Sequence, residues 1–104
     1  MNEFAVNESR ASKRIVRMRT RLEKQLAPLE LAIEDESHQH AGHVGARDGR
    51  GHFRVHIVAK VFAGLPLLAR HRCVYDALGD MMQTDIHALA IDARAPEEAV
   101  KQWK

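Results

Sequence analysis

Between Ser9 and Leu26 the apolar residues Ala11, Ile15, Met18, Leu22 and Leu26 recur at spacings of three or four, which lines one side of a helix. Pro28 predicts the end of that helix, because its ring removes an amide donor and disfavours helical geometry in the residue before it. Leu29, Leu31 and Ile33 then alternate with Glu30, Ala32 and Glu34, the period of a strand with one covered face. Residues 35–51 carry no periodicity and contain Gly42, Gly45, Gly49 and Gly51, so they predict a long hairpin loop. A structureless loop of that length in a small domain is usually functional or disordered. From His52 to Phe62 a second strand is expected, antiparallel to the first, with Phe53, Val55, Ile57, Ala59 and Val61 on one face and Arg54, His56 and Lys60 on the other.

Gly64 and Pro66 break the chain, and Pro66 suits the first position of a new helix. Leu67, His71, Val74, Tyr75, Leu78 and Met82 follow helical spacing, which leaves Arg70, Arg72, Asp76 and Asp80 for solvent. Ile86 to Ala93 reads as a third strand, parallel to the second because a crossover helix joins them. Beyond Pro96 a last helical turn is expected, with Trp103 folding back onto the domain. The expected architecture is an α+β two-layer sandwich in the order α-β-β-α-β-α, over a three-stranded mixed sheet. We expect a disordered segment over residues 1–8 and a single domain over 9–104.

Composition narrows the function classes. The 104 residues are 45% apolar and 29% charged, ordinary globular usage with material for one core. The net charge is only +2, so bulk charge does not by itself imply nucleic acid. Charge is nevertheless uneven: residues 1–27 hold seven basic and three acidic side chains. Arg10, Arg14, Arg17, Arg21 and Lys24 form a stripe beside the apolar one, which suits either phosphate contacts or a solvated helix face. The single cysteine, Cys73, rules out an intramolecular disulfide framework and fits a reducing compartment, with cytoplasm the expectation. Glu3 and Glu8 do not suit a signal peptide, and the apolar run from Val61 to Ala69 is too short to span a bilayer, so no membrane partner is expected.

The chemistry-bearing residues are mostly histidines. Of seven, His38, His40, His43 and His52 sit on or beside the glycine-rich loop, where imidazoles can turn toward a metal or simply face solvent. His71 falls on the predicted buried stripe of the second long helix and reads as a core histidine. His87 shares strand parity with Leu89 and Ile91 but stands at the strand's start, where core meets solvent. Cys73, mid-helix, reads as an inert packed thiol. No Ser-His-Asp order, paired catalytic carboxylates or glycine-rich phosphate loop is present, so enzymatic activity is not expected.

Several segments together resemble one family. Phe62-Ala63-Gly64, then Arg70-His71-Arg72-Cys73-Val74-Tyr75, then Ile86-His87-Ala88-Leu89 resemble the core signature of BolA proteins in order and spacing. Glu34-Asp35-Glu36-Ser37 before the loop and His52-Phe53-Arg54-Val55 after it extend the likeness to approximately residues 9–96. The resemblance implies a KH-like fold of class II topology without the GxxG clamp of nucleic-acid-binding KH domains.

The resemblance further implies a binding role. BolA-like proteins partner monothiol glutaredoxins and share a [2Fe-2S] cluster with them, and bacterial members are also described as transcriptional regulators. The family uses the histidine of the Ile-His-Ala-Leu strand, here His87, with a His or Cys from the loop between the first two strands. His40, four residues after Glu36, matches that loop position best; His52 and His43 are the alternatives. The glutaredoxin cysteine and glutathione supply the other ligands, so no cluster is expected in the isolated chain, which is read as a monomer or weak homodimer. The competing expectation is a DNA-binding regulator that uses Arg10, Arg14, Arg17 and Arg21, or Arg47 and Arg50.

Overall fold

The computed structural model describes residues 10–37 and 50–102. Helix α1 (Arg10–Leu26) leads into strand β1 (Glu30–Asp35), and strand β2 (Gly51–Val58) is the next described element. A 3-10 turn (Lys60–Phe62), helix α2 (Leu67–Leu78) and the short helix α3 (Met81–Thr84) precede strand β3 (Ile86–Arg94) and helix α4 (Pro96–Gln102). The sheet order is β1-β2-β3, with β1 antiparallel and β3 parallel to β2. This is the expected α+β arrangement, with α3 inserted ahead of the last strand. Residues 1–8, expected to be disordered, and Trp103 lie outside the described residues.

The helix α1 stripe behaves as its spacing predicts. Met18, Leu22 and Leu26 are buried against Phe53, Val55 and Ile57 of β2, and Ile15 packs at the margin. Burial of such side chains contributes about 1.5–3 kcal/mol each. Only one face of the sheet is covered in this way. The other presents Glu34 of β1, Arg54 and His56 of β2, and Ala88, Ala90 and Asp92 of β3, in cross-strand register.

Three readings of the sequence are corrected by tertiary structure. First, β2 stops at Val58 instead of running to Phe62, and the 3-10 turn reverses which side chain enters the core: Phe62 is fully buried while Val61 is 48% exposed. An aromatic ring has more apolar surface to bury than a valine, which favours that exchange.

Second, the buried face of α2 is Arg70, Val74, Ala77 and Leu78, not the stripe through Leu67 and Tyr75, which are 64% and 39% exposed. Arg70, expected in solvent, is only 7% exposed. Its Nε donates to the Leu65 carbonyl at 2.8 Å, and Nη1 donates to the Ala93 carbonyl at 3.1 Å. A bidentate pair to Glu98 of α4, at 2.7 and 3.0 Å, completes the set. Hydrogen bonds at every head-group nitrogen make burial of a guanidinium tolerable and rotate the helix toward it. His71 is consequently half-buried rather than in the core.

Third, α2 ends at Gly79, whose φ of 58° suits a residue without a side chain, and α3 restarts the helix so that Met81 is buried instead of Met82. Asp85, at the turn from α3 into β3, is buried and accepts from Arg17 at 2.9 and 3.2 Å, from Arg14 at 3.3 Å and from Thr84 at 2.6 Å. Burial works to raise the Asp85 carboxyl, but the bonds from Thr84, Arg17 and Arg14 outweigh it and hold the group below its ordinary value.

Candidate functional site

The candidate site is at the base of the loop, where β1 leaves the sheet and β2 and β3 begin. Local hydrogen bonds define that base. The Glu36 amide donates to the His52 carbonyl at 2.7 Å, the His52 amide to Ser37 Oγ at 3.0 Å, and the Ser37 amide to Asp35 Oδ1 at 2.9 Å. The Gly51 amide donates to the Asp85 carbonyl at 2.9 Å, tying β2 to the start of β3. Gly51 lies under the Phe53 ring: a Cβ there would stand 2.7 Å from the ring and 3.1 Å from Ser37 Oγ. Glycine is therefore required by close approach. As one of four glycines in or beside an irregular stretch, Gly51 could not be singled out from the sequence.

A register shift follows immediately. Gly51 pairs with Ile86, but His52 pairs with Ala88, so His87 is the extra residue of a β-bulge. The bulge breaks the parity that would place His87 with Leu89 and Ile91. His87 is exposed while Ile86 is buried, and its ring lies 5.2 Å from that of His52, centroid to centroid, at a tilt of 49°. His52 is 8% exposed. Arg50 reaches across from the loop end, its Nη2 at 3.2 Å from His87 Nδ1 and its Nη1 donating to the Gln83 carbonyl at 3.5 Å. Beside the pair a groove of about 270 Å³ is lined by Glu36, His52, Phe53, Ala88, Leu89 and Ala90.

The open sheet face next to it carries cross-strand charge pairs. Arg54 Nε donates to Glu36 at 2.9 Å, and His56 stands between Glu34 at 3.5 Å and Asp92 at 3.4 Å. Arg94 bonds Asp92 at 2.9 and 3.0 Å. Burial alone would raise the Asp92 carboxyl, and the Arg94 and His56 bonds bring it below its ordinary value instead. Acidic and basic groups alternate on this face, so it carries no patch of a single sign among the described residues.

The predicted site residues thus separate. Among the described residues, His52 and His87 come together as neighbouring imidazoles. His38, His40, His43 and Arg47 lie outside the described residues, as does the side chain of Arg10. Arg14 and Arg17 bond Asp85, and Arg21 bonds Asp80 at 2.8 Å and the Leu78 carbonyl, so these arginines hold α1 against the segment from α2 to β3. The Arg21 bond also holds the Asp80 carboxyl below its ordinary value. Cys73 is half-buried against the core, as packing predicts. Among the described residues, no helix is long and apolar enough to cross a membrane.

The chain's sequence and fold match known proteins. The family model described as BolA-like protein matches residues 22–98. Protein BOLA1, chloroplastic, from Arabidopsis thaliana is 48% identical over 95 residues, which are 88% of this chain and 57% of that protein, so the chain spans little more than half of that relative. The DNA-binding transcriptional regulator BolA of Haemophilus influenzae is 36% identical over 84 residues, 81% of this chain and 75% of that protein. Among solved structures, the BolA domain of SufE1 from Arabidopsis thaliana superposes with a TM-score of 0.72 at 46% identity, covering 82% of this chain and 94% of that one. With the matched model spanning the sheet, α2 and the bulge that carries His87, the chain belongs to the BolA family.

Proposed function

We propose that this chain is a non-enzymatic adaptor that partners a monothiol glutaredoxin and shares a [2Fe-2S] cluster with it, in iron-sulfur trafficking or in stress regulation linked to iron and redox state. The observation that carries the reading is the bulge that brings His87 beside His52. Two neutral imidazoles side by side fit the donor chemistry of one iron in a mixed His/Cys cluster, and the partner's cysteine and glutathione supply the thiolates for the other. His87 stands on a strand and is held in place; His52 is the second residue of β2. His40 and His43 are the competing loop donors. Imidazole in place of thiolate removes negative charge, so the cluster, when bound, supplies one-electron chemistry at a raised potential. The chain's own part is to present the imidazoles, to orient them through the bulge and the Ser37–His52 clamp, and to offer the adjoining groove to the partner. The single cysteine supports a reducing compartment, cytoplasmic in this reading.

The test is to mix the chain with cluster-loaded monothiol glutaredoxin. A one-to-one complex on size exclusion with altered visible absorption and circular dichroism supports the adaptor; an unchanged spectrum without co-elution contradicts it. A second reading, a DNA-binding regulator, is favoured by the name of the Haemophilus influenzae relative. It has to rely on arginines of which Arg14, Arg17 and Arg21 already hold the fold together. Binding to one promoter but not to scrambled DNA at physiological salt would bring it forward.

A further inference from the structure

The geometry points to Arg50 as a cap on His87: its guanidinium occupies the Nδ1 lone pair, so His87 becomes a metal ligand only after Arg50 swings away. This deepens the ligand reading above and rests on it for its purpose, but the geometry belongs to the chain alone.

A guanidinium carries donors and no acceptor, and it stays charged throughout the accessible pH range. At 3.2 Å from Arg50 Nη2, His87 Nδ1 is therefore the accepting nitrogen, which makes the neutral ring protonated at Nε2. A metal ion needs a nitrogen lone pair. Nδ1 offers one only where Arg50 already sits. Nε2 offers one only after the proton moves to Nδ1, where it would point at the guanidinium donors. Both routes require the Arg50 contact to break.

The rest of the neighbourhood places the cap beside His87. Gly51, the next residue, is held by the Asp85 carbonyl and by the Phe53 ring above it, so the backbone at the root of Arg50 is placed, while its head group is anchored by the 3.5 Å contact to the Gln83 carbonyl.

The test uses the isolated chain, without glutaredoxin or cluster, and Zn²⁺ as the probe. The imidazole nitrogen signals of His87 are followed by NMR during a Zn²⁺ titration of the wild type and of Arg50→Ala, at low salt and at high salt. The cap predicts wild-type His87 protonated at Nε2, and an Arg50→Ala midpoint lower by about two- to tenfold, the factor carried by one net hydrogen bond. The difference persists at high salt, since a contact hydrogen bond is screened far less than long-range repulsion between charges. Four results overturn it: a wild-type proton on Nδ1, equal midpoints, a difference that disappears at high salt, or His87 signals that never respond to Zn²⁺. Because glutaredoxin is absent, failure of the cap is distinguishable from failure of the adaptor reading, which the mixed-complex experiment tests separately.

Discussion

Replacing Arg70 with methionine tests the claim that a buried guanidinium, rather than an apolar stripe, fixes how α2 sits on the sheet. The substitution keeps most of the stem and removes the head group. It leaves the Leu65 and Ala93 carbonyls without the donors seen at 2.8 and 3.1 Å. Losing two such bonds in a site where Arg70 is 7% exposed costs about 2–3 kcal/mol. The Glu98 pair opens toward water and is left out of that figure. For a domain of this size each kcal/mol shifts Tm by about 4–8 °C, so the expected fall is roughly 10–20 °C. Arg70→Lys should recover only part of it, because an ammonium cannot reproduce the fork that reaches three partners. Urea denaturation followed by far-UV circular dichroism gives the difference directly. A loss below about 1 kcal/mol would mean that Arg70 is a passenger and that Val74, Ala77 and Leu78 alone set the helix rotation.

Other outcomes follow from the same contacts. Glu98 is pulled from 4.5 to about 2, first by the Arg70 bond and then by the Ala95 amide. A depressed carboxylate stabilises the fold fully above its ordinary value, so that contribution is expected to fade as pH falls from about 4.5 toward 2; acid titrations should show it in the wild type and much less of it in Arg70→Met. Gly51→Ala places a Cβ 2.7 Å from the Phe53 ring and should cost about 1–3 kcal/mol in urea denaturation, with displaced amide signals at His52. His87→Ala removes an exposed side chain at a bulge, and its thermal midpoint should stay within a few degrees of wild type, corresponding to about 0.5 kcal/mol or less. A large loss there would make His87 a structural residue.

Much of the fold was legible because it rests on periodicity. The α1 stripe and the alternation in β1 come from apolar spacing that burial then uses, and the parallel placement of β3 follows from the crossover helix between it and β2. The misreadings arise where a tertiary interaction overrides a local pattern. Arg70 is polar and its spacing points to solvent, yet the nearby Leu65 carbonyl and the distant Ala93 carbonyl and Glu98 carboxylate make its burial tolerable. Phe62 and Val61 exchange roles because one tight turn ends β2 earlier than alternation suggests. At the site, sequence pointed to His87 and to a set of loop histidines, but a bulge leaves no mark in composition. Parity therefore put His87 with Leu89 and Ile91, and the structure puts it next to His52. Gly51 looks like the other glycines of the irregular stretch, and only the Phe53 ring shows why the position excludes a side chain. Arg14, Arg17 and Arg21 read as part of a basic stripe, and their partners Asp80 and Asp85, far along the chain, could not be paired with them from spacing.

The most direct test of the central claim is the nitrogen hyperfine spectrum of the reduced cluster in the complex with monothiol glutaredoxin, recorded for wild type, His87→Ala and His52→Ala. The adaptor reading predicts couplings from two imidazole nitrogens in the wild type and from one in His87→Ala. If His52 is the second ligand, His52→Ala also loses one; if His40 or His43 fills that place, His52→Ala keeps both. A wild-type spectrum without imidazole coupling, or a His87→Ala spectrum identical to it, would contradict the assignment of His87 as a ligand.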